Sequence, residues 1–350
     1  MPRERVRLTD EPECADGGLN PAERNRLPVN RRLFPTLLIA LGLLVAVPAS
    51  ASAAKIKVAV GIGDQSPAMF ADANWKALNL KKTRYFIEWN AIDQPDQLAT
   101  ADRFVEAARR AGVKVLMHIS TDDINSVPRR PLPSVREYKT KVRALIARYK
   151  PMRVTEWGVW NEANHKSQPT ARNPKRAAQF YKAFKGMCKN CKIVALDVLD
   201  QSGVEKYIAS WMKAAGSSGR SARIIGIHNY SQVNRRITAK KASSKYPGTA
   251  RIIKAVRKKN KVAKFWYTET GGLASFGRAF RCDLTRQANR TKFMFSMIKT
   301  YDKDVERLYS YNWFGTNPRC NSFDAGLVDA DGTPRPAYAT FKQGLKKTSR

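Results

Sequence analysis

The sequence predicts an α/β fold, a (β/α)8 barrel (TIM barrel) that forms a single catalytic domain over residues 55–350. Short β-branched or aromatic runs alternate with amphipathic stretches, and no low-complexity linker divides them. Eight such units match the size of this barrel, which typically has ~250 residues. An open doubly wound sheet is the alternative, but GIGDQS (61–66) lacks the third glycine of a dinucleotide-binding turn.

The predicted strands share apolar interiors rich in β-branched and aromatic residues, as strands covered on both faces require. In chain order they are KVAVGIG (57–63), RYFIEWN (84–90), VKVLMHIS (113–120), VTEWGVWNE (154–162), KIVALDVLD (192–200), RIIGIHNYS (223–231), AKFWYTET (263–270) and ERLYSYNWF (306–314). The stretches between them have apolar residues three or four positions apart, which is typical of amphipathic helices. The clearest predicted helices are 97–112, 134–150, 174–187, 285–302 and 334–347.

Polar and aromatic residues collect where the predicted strands end. They are Glu88, Trp89, Asn90, His118, Asn161, Glu162, His228, Asn229, Tyr230, Glu269, Asn312 and Trp313. Because the catalytic groups of (β/α)8 barrels come from the C-terminal ends of the strands, we expect these side chains to share one mouth. Glu162 and Glu269, on the fourth and seventh predicted strands, would then face each other.

Two carboxyl groups that face each other can break a glycosidic bond. One protonates the leaving oxygen, and the other attacks the anomeric carbon or activates water. A separation of about 5–5.5 Å retains the anomeric configuration, whereas roughly 6.5–9.5 Å inverts it. Glu156 shares strand parity with Glu162 but lies roughly 20 Å lower along the strand, so we expect it at the closed end of the barrel, paired with a cation.

VWNEANH (159–165) resembles the Trp-Asn-Glu-Pro motif on the fourth strand of clan A glycoside hydrolases, a retaining (β/α)8 superfamily with family 39-type and cellulase-like members. Ala163 departs from that motif, since proline is common at its position. Other segments resemble the second, sixth, seventh and eighth strands and the last unit of this clan. They are RYFIEWN (84–90), HNY (228–230), YTETG (267–271), YNWF (311–314) and GLVDADGTPRPAYATF (326–341).

The resemblance implies a role for each candidate site residue. Glu162 would be the general acid/base, with a raised pKa, and Glu269 would be the nucleophile, ionised at rest. Arg84, Tyr230 and His228 would favour the ionised nucleophile. The further substrate-binding candidates are Asn161 for the 2-hydroxyl of the reacting sugar, Trp313 as a sugar platform, and Asn90.

The implied function is hydrolysis of O-glycosidic bonds in a β-linked oligo- or polysaccharide by a two-carboxylate double displacement. Two alternatives stay open, a catalytically silent glycan-binding barrel and a transglycosylase that uses the same residues. We expect no cofactor and no metal, because the chain has three histidines and neither an HExxH motif nor a carboxylate triplet. DADGT (329–333) lacks the downstream glutamate of a calcium loop and predicts a hairpin turn.

The formal net charge is +35, which indicates either a solvated basic face or attraction to a polyanion. No nucleic-acid-binding motif is present, so we expect no nucleic acid partner. Anionic cell-envelope polymers are the more plausible partners. We expect a monomer.

The N-terminus predicts export. Residues 1–30 form a polar leader that is expected to be disordered, and 31–54 combine two arginines, an apolar run and A-x-A sites, as in a signal peptide or an anchor. The mature chain would be secreted or cell-surface associated, with four cysteines and three possible disulfide pairings. Cys188 and Cys191 would also suit a redox pair or half a zinc site, but we expect the local pairs Cys188–Cys191 and Cys282–Cys320.

Overall fold

The computed structural model describes residues 55–121 and 132–349, so the predicted leader and the signal or anchor segment lie outside the described residues. Eight parallel strands close into a barrel, in which each strand pairs with the next and the last pairs with the first. They are β1 (Ala59–Gly63), β2 (Lys82–Glu88), β3 (Lys114–Ser120), β4 (Glu156–Gly158), β5 (Lys192–Leu199), β6 (Ile224–His228), β7 (Lys264–Thr270) and β9 (Val305–Tyr311). A separate antiparallel pair joins β8 (Ser275–Phe276) to β10 (Phe323–Asp324).

Helices connect successive barrel strands, and the predicted (β/α)8 barrel is therefore confirmed. They are α1 (Ala73–Ala77), α2 (Pro95–Arg110), α3 (Val135–Tyr149), α4 (Pro174–Met187), α5 (Val204–Ala215), α6 (Ser217–Arg220), α7 (Tyr230–Arg235), α8 (Gly248–Arg257), α9 (Leu284–Thr300) and α10 (Pro336–Leu345). The β1–β2 connection is the shortest in helical content, because it has only a 3-10 turn (Pro67–Ala71) and the five-residue α1.

Local sequence explains where the longer helices begin. The Ser134 side chain accepts the N–H of Glu137, and the Glu137 carboxylate accepts the N–H of Ser134, which completes a capping box at α3. Asp283 accepts the N–H of Arg286 at the start of α9. Proline is the first residue of α2, α4 and α10, where its missing N–H removes no helical bond.

The fourth strand is shorter than predicted, since β4 ends at Gly158 rather than at residue 162. The chain beyond it still bonds to both neighbouring strands. The N–H of Val159 donates to the carbonyl of Val194 (3.1 Å), and the N–H of Asn161 donates to that of Ile119 (2.7 Å). The carboxyl end of this segment therefore still reaches the mouth of the barrel.

The sixth and eighth barrel strands also end earlier than predicted. β6 stops at His228 because α7 begins at Tyr230, where the Asp200 carboxylate accepts the first helical N–H groups. β9 stops at Tyr311 rather than at residue 314. Tyr230 and Tyr311, two aromatic residues at the mouth, therefore lie at or just beyond the end of a strand and not within it.

Two glycines make room inside the barrel for ionisable side chains. A Cβ at Gly158 would collide with the ring of His118, and one at Gly226 would collide with the carboxylate of Asp197. His118 and Asp197 are both fully buried. Their presence in the barrel interior therefore depends on glycine in the neighbouring strand.

The closed end of the barrel contains a buried glutamate that is paired with two cations. Glu156 accepts a hydrogen bond from Arg307, and Lys82 lies 3.9 Å from its other oxygen. The Arg307 guanidinium lies over the ring of Trp266, 3.7 Å from its centroid, and also donates to Tyr309. The prediction that Glu156 pairs with a cation at this end is confirmed.

Both expected disulfides are present. Cys188–Cys191 follows α4, and Cys282–Cys320 joins the segment before α9 to the one after β9. The DADGT segment forms the predicted hairpin turn, with the N–H of Asp329 donating to the carbonyl of Thr333 at 2.8 Å. Within the described residues, none of the helices has the length and apolar character that a bilayer crossing needs.

Candidate active site

Glu162 follows β4 and is positioned through its backbone. Its φ of 44° is uncommon for a residue with a side chain, and its N–H donates to Oδ2 of Asp197 at 3.1 Å. The N–H of Ala163 donates to the backbone carbonyl of the same aspartate at 2.9 Å. Strand β5 therefore holds the turn that carries Glu162.

Glu269, on β7, is held by side chains from two other elements. Arg84 on β2 donates Nη1 to Oε2 (2.7 Å), and Tyr230 at the start of α7 donates its hydroxyl to Oε1 (2.9 Å). Burial and the charge of Glu269 raise the pKa of Tyr230 well above its usual range, so the phenol keeps its proton. These two contacts therefore fix the position of both oxygens of the Glu269 carboxylate.

The two glutamates share one cavity of about 530 Å³. An oxygen of Glu162, an oxygen of Glu269 and a ring nitrogen of His228 all lie within 4.8 Å of one another. The glutamate side chains are 13% and 12% exposed, so both are mostly desolvated yet reachable from the cavity. The sequence placed these two residues on different strands, and the structure brings them together.

His228 links both glutamates to a buried aspartate. Its Nδ1 lies 2.9 Å from Oε1 of Glu162 and 3.7 Å from Oε2 of Glu269, and its Nε2 lies 2.9 Å from Oδ2 of Asp197. Burial would lower the pKa of His228, but the charges of Asp197 and Glu269 outweigh burial and raise it to about 10. His228 is therefore an imidazolium at neutral pH, and it can donate from both nitrogens.

The raised pKa expected for Glu162 is not found. Burial does act to raise it, but the hydrogen bond and positive charge of His228, with a smaller contribution from His165, leave the pKa below its usual range. In the free enzyme the available proton therefore lies on His228, one hydrogen bond away from Glu162. The sequence-based expectation lacked this contact, which depends on β4 and β6 meeting at the mouth.

Arg84 organises the floor beneath the carboxylates. Besides Glu269, it donates Nη2 to Oδ1 of Asn161 (2.5 Å) and Nε to Nδ1 of His118 (3.3 Å). Burial lowers the pKa of His118 to about 3, so its ring is neutral and can accept this bond. The Nδ2 group of Asn161 makes no hydrogen bond within the described residues, which leaves it as a donor toward the cavity that Asn161 lines.

Four sequence-predicted site residues do not line this cavity, and of these Arg84 and His228 still contact the glutamates. The other two are Trp313 and Asn90. Trp313 is fully buried and packs against Phe314 and Tyr338, so its ring has no free face for a sugar. The platform role expected for it is therefore wrong. Asn90 lies at the start of a 3-10 turn and is not among the cavity-lining residues.

The wall of the cavity is instead aromatic. Phe276, which is 49% exposed, and Phe323 are paired in the antiparallel β8–β10 sheet, and Tyr311 lies at the end of β9. The ring of Phe323 contacts the rings of Tyr230, Phe276 and Tyr311 at centroid distances of 5.3, 5.6 and 6.2 Å. The sequence does not predict this wall, because β8 and β10 are each only two residues long and the paired Phe276 and Phe323 are 47 positions apart.

Asp197 is the main residue of the site that sequence analysis missed. It accepts the hydroxyl of Thr268, contacts His228 and anchors Glu162. The charges of His228 and His118 overcome its burial and hold its pKa well below the usual range. A signal was present in KIVALDVLD, where an acid interrupts a buried strand and requires a buried partner.

A larger cavity, of about 1110 Å³, lies outside the barrel beside α1 and α2. Its acids already have partners on the surface, since Asp102 binds Arg148 and Glu106 binds Arg109. It lacks a pair of converging carboxylates. The smaller cavity at the barrel mouth therefore remains the candidate active site.

The cluster of Glu162, His228 and Glu269 has the spacing of a metal site. Two features disfavour a cation there. Arg84 already neutralises Glu269 at 2.7 Å, and His228 carries a proton on the nitrogen that would bind the metal. The donor set fits proton transfer better than metal binding.

Comparisons with known proteins agree with this geometry. Residues 159–341, just over half of the chain, match the family model described as the glycosyl hydrolase catalytic core. A search of curated proteins finds no match.

Solved structures show the same fold. Xylanase B from Clostridium stercorarium F9 has 16% identity and a TM-score of 0.53, over 81% of this chain and 96% of that one. A family 10 xylanase of Thermobacillus composti has 16% identity and a TM-score of 0.55, over 82% and 97%. A family 39 glycoside hydrolase from Bacteroides cellulosilyticus WH2 has 15% identity and a TM-score of 0.52, over 82% and 64%.

The family match covers the segment that carries Glu162 and Glu269, and the barrel is the one expected from the motifs in the sequence. The chain belongs to the glycosyl hydrolase catalytic core family.

Proposed function

We propose that this enzyme is a secreted, retaining glycosidase that cleaves a β-linked glycan by double displacement, with Glu162 as acid/base and Glu269 as nucleophile. The observation that carries the proposal is the approach of their carboxylates across one cavity, within 4.8 Å. That spacing is close to the about 5–5.5 Å of retaining pairs and shorter than the roughly 6.5–9.5 Å of inverting pairs, which need space for a water.

In the first step, a Glu269 oxygen attacks the anomeric carbon while the bond from that carbon to the leaving oxygen breaks. Arg84 and Tyr230 hold the two oxygens of the attacking carboxylate by hydrogen bonds. The proton of the adjacent His228 imidazolium passes to Glu162 across their 2.9 Å contact and from Glu162 to the leaving oxygen, which leaves Glu162 as a carboxylate and His228 neutral.

In the second step, Glu162 accepts a proton from water as the water oxygen attacks the anomeric carbon. The bond between sugar and Glu269 then breaks, and its carboxylate is restored. Esterification of Glu269 removes one of the charges that raise the pKa of His228, so His228 is a weaker base in the intermediate.

Substrate contacts follow from the cavity wall. The free Nδ2 group of Asn161 is positioned to donate to the 2-hydroxyl, a bond that strengthens in the transition state. The exposed ring of Phe276 offers an apolar face for the C–H groups of a pyranose, the role that the sequence suggested for Trp313. Several structural neighbours are named xylanases, which makes β-linked xylan the first substrate to try.

Export is supported by the signal-like segment 31–54 and by two disulfides, which form in oxidising compartments. The net charge of +35 would then favour adhesion to anionic envelope polymers. Such adhesion should weaken as ionic strength rises, because salt screens exposed charges.

The test is turnover of a panel of β-linked polysaccharides and aryl β-glycosides, with proton NMR of the first product. Release of the β-anomer is expected. Release of the α-anomer would contradict the double displacement. Glycan binding without turnover would favour a silent binding barrel, and longer oligosaccharides among the products would indicate transglycosylation.

A further inference from the structure

Arg235 is a cation at the active-site cavity, and the part of the chain that the structure describes supplies no acid to pair with it. It is the last residue of α7, it lines the cavity that holds Glu162 and Glu269, and it is exposed. Within the described residues, its guanidinium forms neither a salt bridge nor a hydrogen bond. Its contacts are aromatic, since its Cζ lies 5.1 Å from the ring centroid of Tyr246 and 5.3 Å from that of Phe280.

Two other arginines near the cavity show the contrast. Arg84 is fully buried, and its donors are taken by Glu269, Asn161 and His118. Arg286 also lies over Phe280, but its Nη2 is committed to backbone carbonyls that hold the 273–281 loop. Arg235 contacts the same Phe280 ring as Arg286, but no described residue accepts a hydrogen bond from its guanidinium.

The aromatic contacts orient Arg235 without using its N–H groups. Stacking holds the plane of a guanidinium, while the five donors at its edge remain available to a planar anion. A carboxylate accepts two of these donors in parallel, which makes the pairing selective as well as strong. The site is therefore prepared for a carboxylate that the described residues do not supply.

The position of Arg235 relates it to the reacting sugar. Tyr230, which binds Glu269, begins the same helix, and five residues of α-helix advance about 7.5 Å. Arg235 is thus separated along the helix from the tyrosine that binds Glu269 and lines the same cavity, where it would meet a sugar next to the reacting one. The segment that follows adds the same charge, since residues 235–247 contain five basic and no acidic residues.

We propose that Arg235 binds the carboxylate of a uronic acid residue adjacent to the cleaved bond, so that the enzyme prefers acidic glycans over neutral ones. This proposal rests on the proposed function, because it assigns a substrate class to the same cavity. Arg235 would select the substrate and take no part in the chemistry.

The experiment compares acidic oligosaccharides with their carboxyl-reduced counterparts, which differ only in the charged group. Glucuronoxylan, hyaluronan and alginate fragments form three such pairs. They are assayed at about 0.15 M salt, where exposed charges are screened beyond ~8 Å. Initial rates give kcat/KM for wild type, Arg235→Gln and the control Arg278→Gln, which removes an exposed charge that does not line the cavity.

Wild type is expected to prefer at least one acidic fragment over its reduced counterpart by about tenfold, the scale of one charge-assisted pairing. Arg235→Gln should lose that preference, and Arg278→Gln should keep it. Equal rates within every pair for wild type, or a preference that survives in Arg235→Gln, would overturn the proposal.

A binding assay separates this proposal from the proposed function. Affinities of the same fragments for Glu269→Gln do not depend on turnover. Suppose that wild type hydrolyses no fragment, that the acidic fragments bind Glu269→Gln selectively, and that adding Arg235→Gln to this variant abolishes the selectivity. The proposed hydrolysis of these glycans would then be refuted, and the carboxylate site would be supported. Equal affinities within each pair would refute the carboxylate site.

Discussion

The two ends of the barrel each bury a glutamate against an arginine, but their charge balance is opposite. At the closed end, Glu156 meets two cations, Arg307 and Lys82. At the open end, the three acids Glu162, Glu269 and Asp197 meet Arg84 and the His228 imidazolium. Glu156 is sealed among side chains, whereas Glu162 and Glu269 line a cavity.

This difference distinguishes an ion pair that supports the fold from one that performs chemistry. A buried arginine left without its acid is costly, so the Glu156–Arg307 pair resists change. An excess of carboxylates beside a cavity lets neighbouring side chains hold protons and pass them on, which acid/base catalysis requires. Residue type alone does not separate the two cases, since both ends use glutamate and arginine.

The largest effect is expected for Glu269→Gln. The amide cannot attack the anomeric carbon, so turnover should fall by roughly 10⁴-fold or more. Its oxygen can still accept from Arg84, its NH2 group can donate to the Tyr230 hydroxyl, and two other acids remain nearby, so the free energy of unfolding should change by no more than about 1 kcal/mol. Steady-state rates and urea unfolding measure both quantities.

The same substitution at the closed end should give the reverse result. Glu156→Gln leaves Arg307 and Lys82 without an acid, so the free energy of unfolding should fall by about 3 kcal/mol while kcat per folded molecule is kept. Equal losses of activity in the two variants would show that the ends do not differ as described.

Glu162→Ala tests the acid/base at the open end. On a natural glycan the rate should fall by about 10² to 10⁴-fold, because the leaving oxygen receives no proton. On a 2,4-dinitrophenyl glycoside the first step needs no acid, so a burst of phenol followed by slow turnover is expected. Added azide, which needs no base, should restore turnover and yield the β-glycosyl azide. A uniform loss on both substrates would count against the role of Glu162.

His228→Gln tests whether His228 supplies the proton that Glu162 transfers. In wild type the pKa of His228 is raised to about 10 from 6.5, so its stabilising contribution is complete below pH 6.5 and is lost as the pH rises through 10. Wild type should therefore lose more stability than the variant between pH 7 and pH 10.5, measured by thermal unfolding. The alkaline limb of the pH profile of kcat should also move to lower pH in the variant. Identical profiles for wild type and variant would show that His228 does not supply the proton to Glu162.

Phe276→Ala should have the smallest effect, confined to substrate binding. Loss of an apolar contact of about 1 kcal/mol corresponds to a roughly fivefold rise in KM with kcat nearly unchanged. Val262→Ala is the matched control, because Val262 is 64% exposed and does not line the cavity. An unchanged KM for Phe276→Ala would remove the aromatic platform from the proposal.

Several features of the site were predictable because they depend on strand order. Glu162 and Glu269 follow strands in the sequence, and parallel strands deliver their carboxyl ends to one mouth. Arg84 was expected near the nucleophile, and it donates to Glu269. Glu156 could be separated from Glu162 by distance along the strand alone.

Other features depend on contacts that no local pattern encodes. Trp313 and Tyr311 have the same strand parity, but β9 ends at Tyr311, so one ring reaches the cavity and the other enters the core. The raised pKa expected for Glu162 assumed burial without a cation, whereas His228 donates to it from β6. The Phe276–Phe323 pair joins two segments 47 residues apart.

By itself, the sequence determined the barrel, the strands that carry the carboxylates, and the chemical class of the site, because periodicity and strand order are local properties of the chain. Only the tertiary structure decided where the proton lies, which aromatic rings line the cavity, and that Arg235 has no acidic partner among the residues described in the structure. These depend on distances between side chains from different strands, and a distance of a few ångströms decides whether a charge or a ring is available.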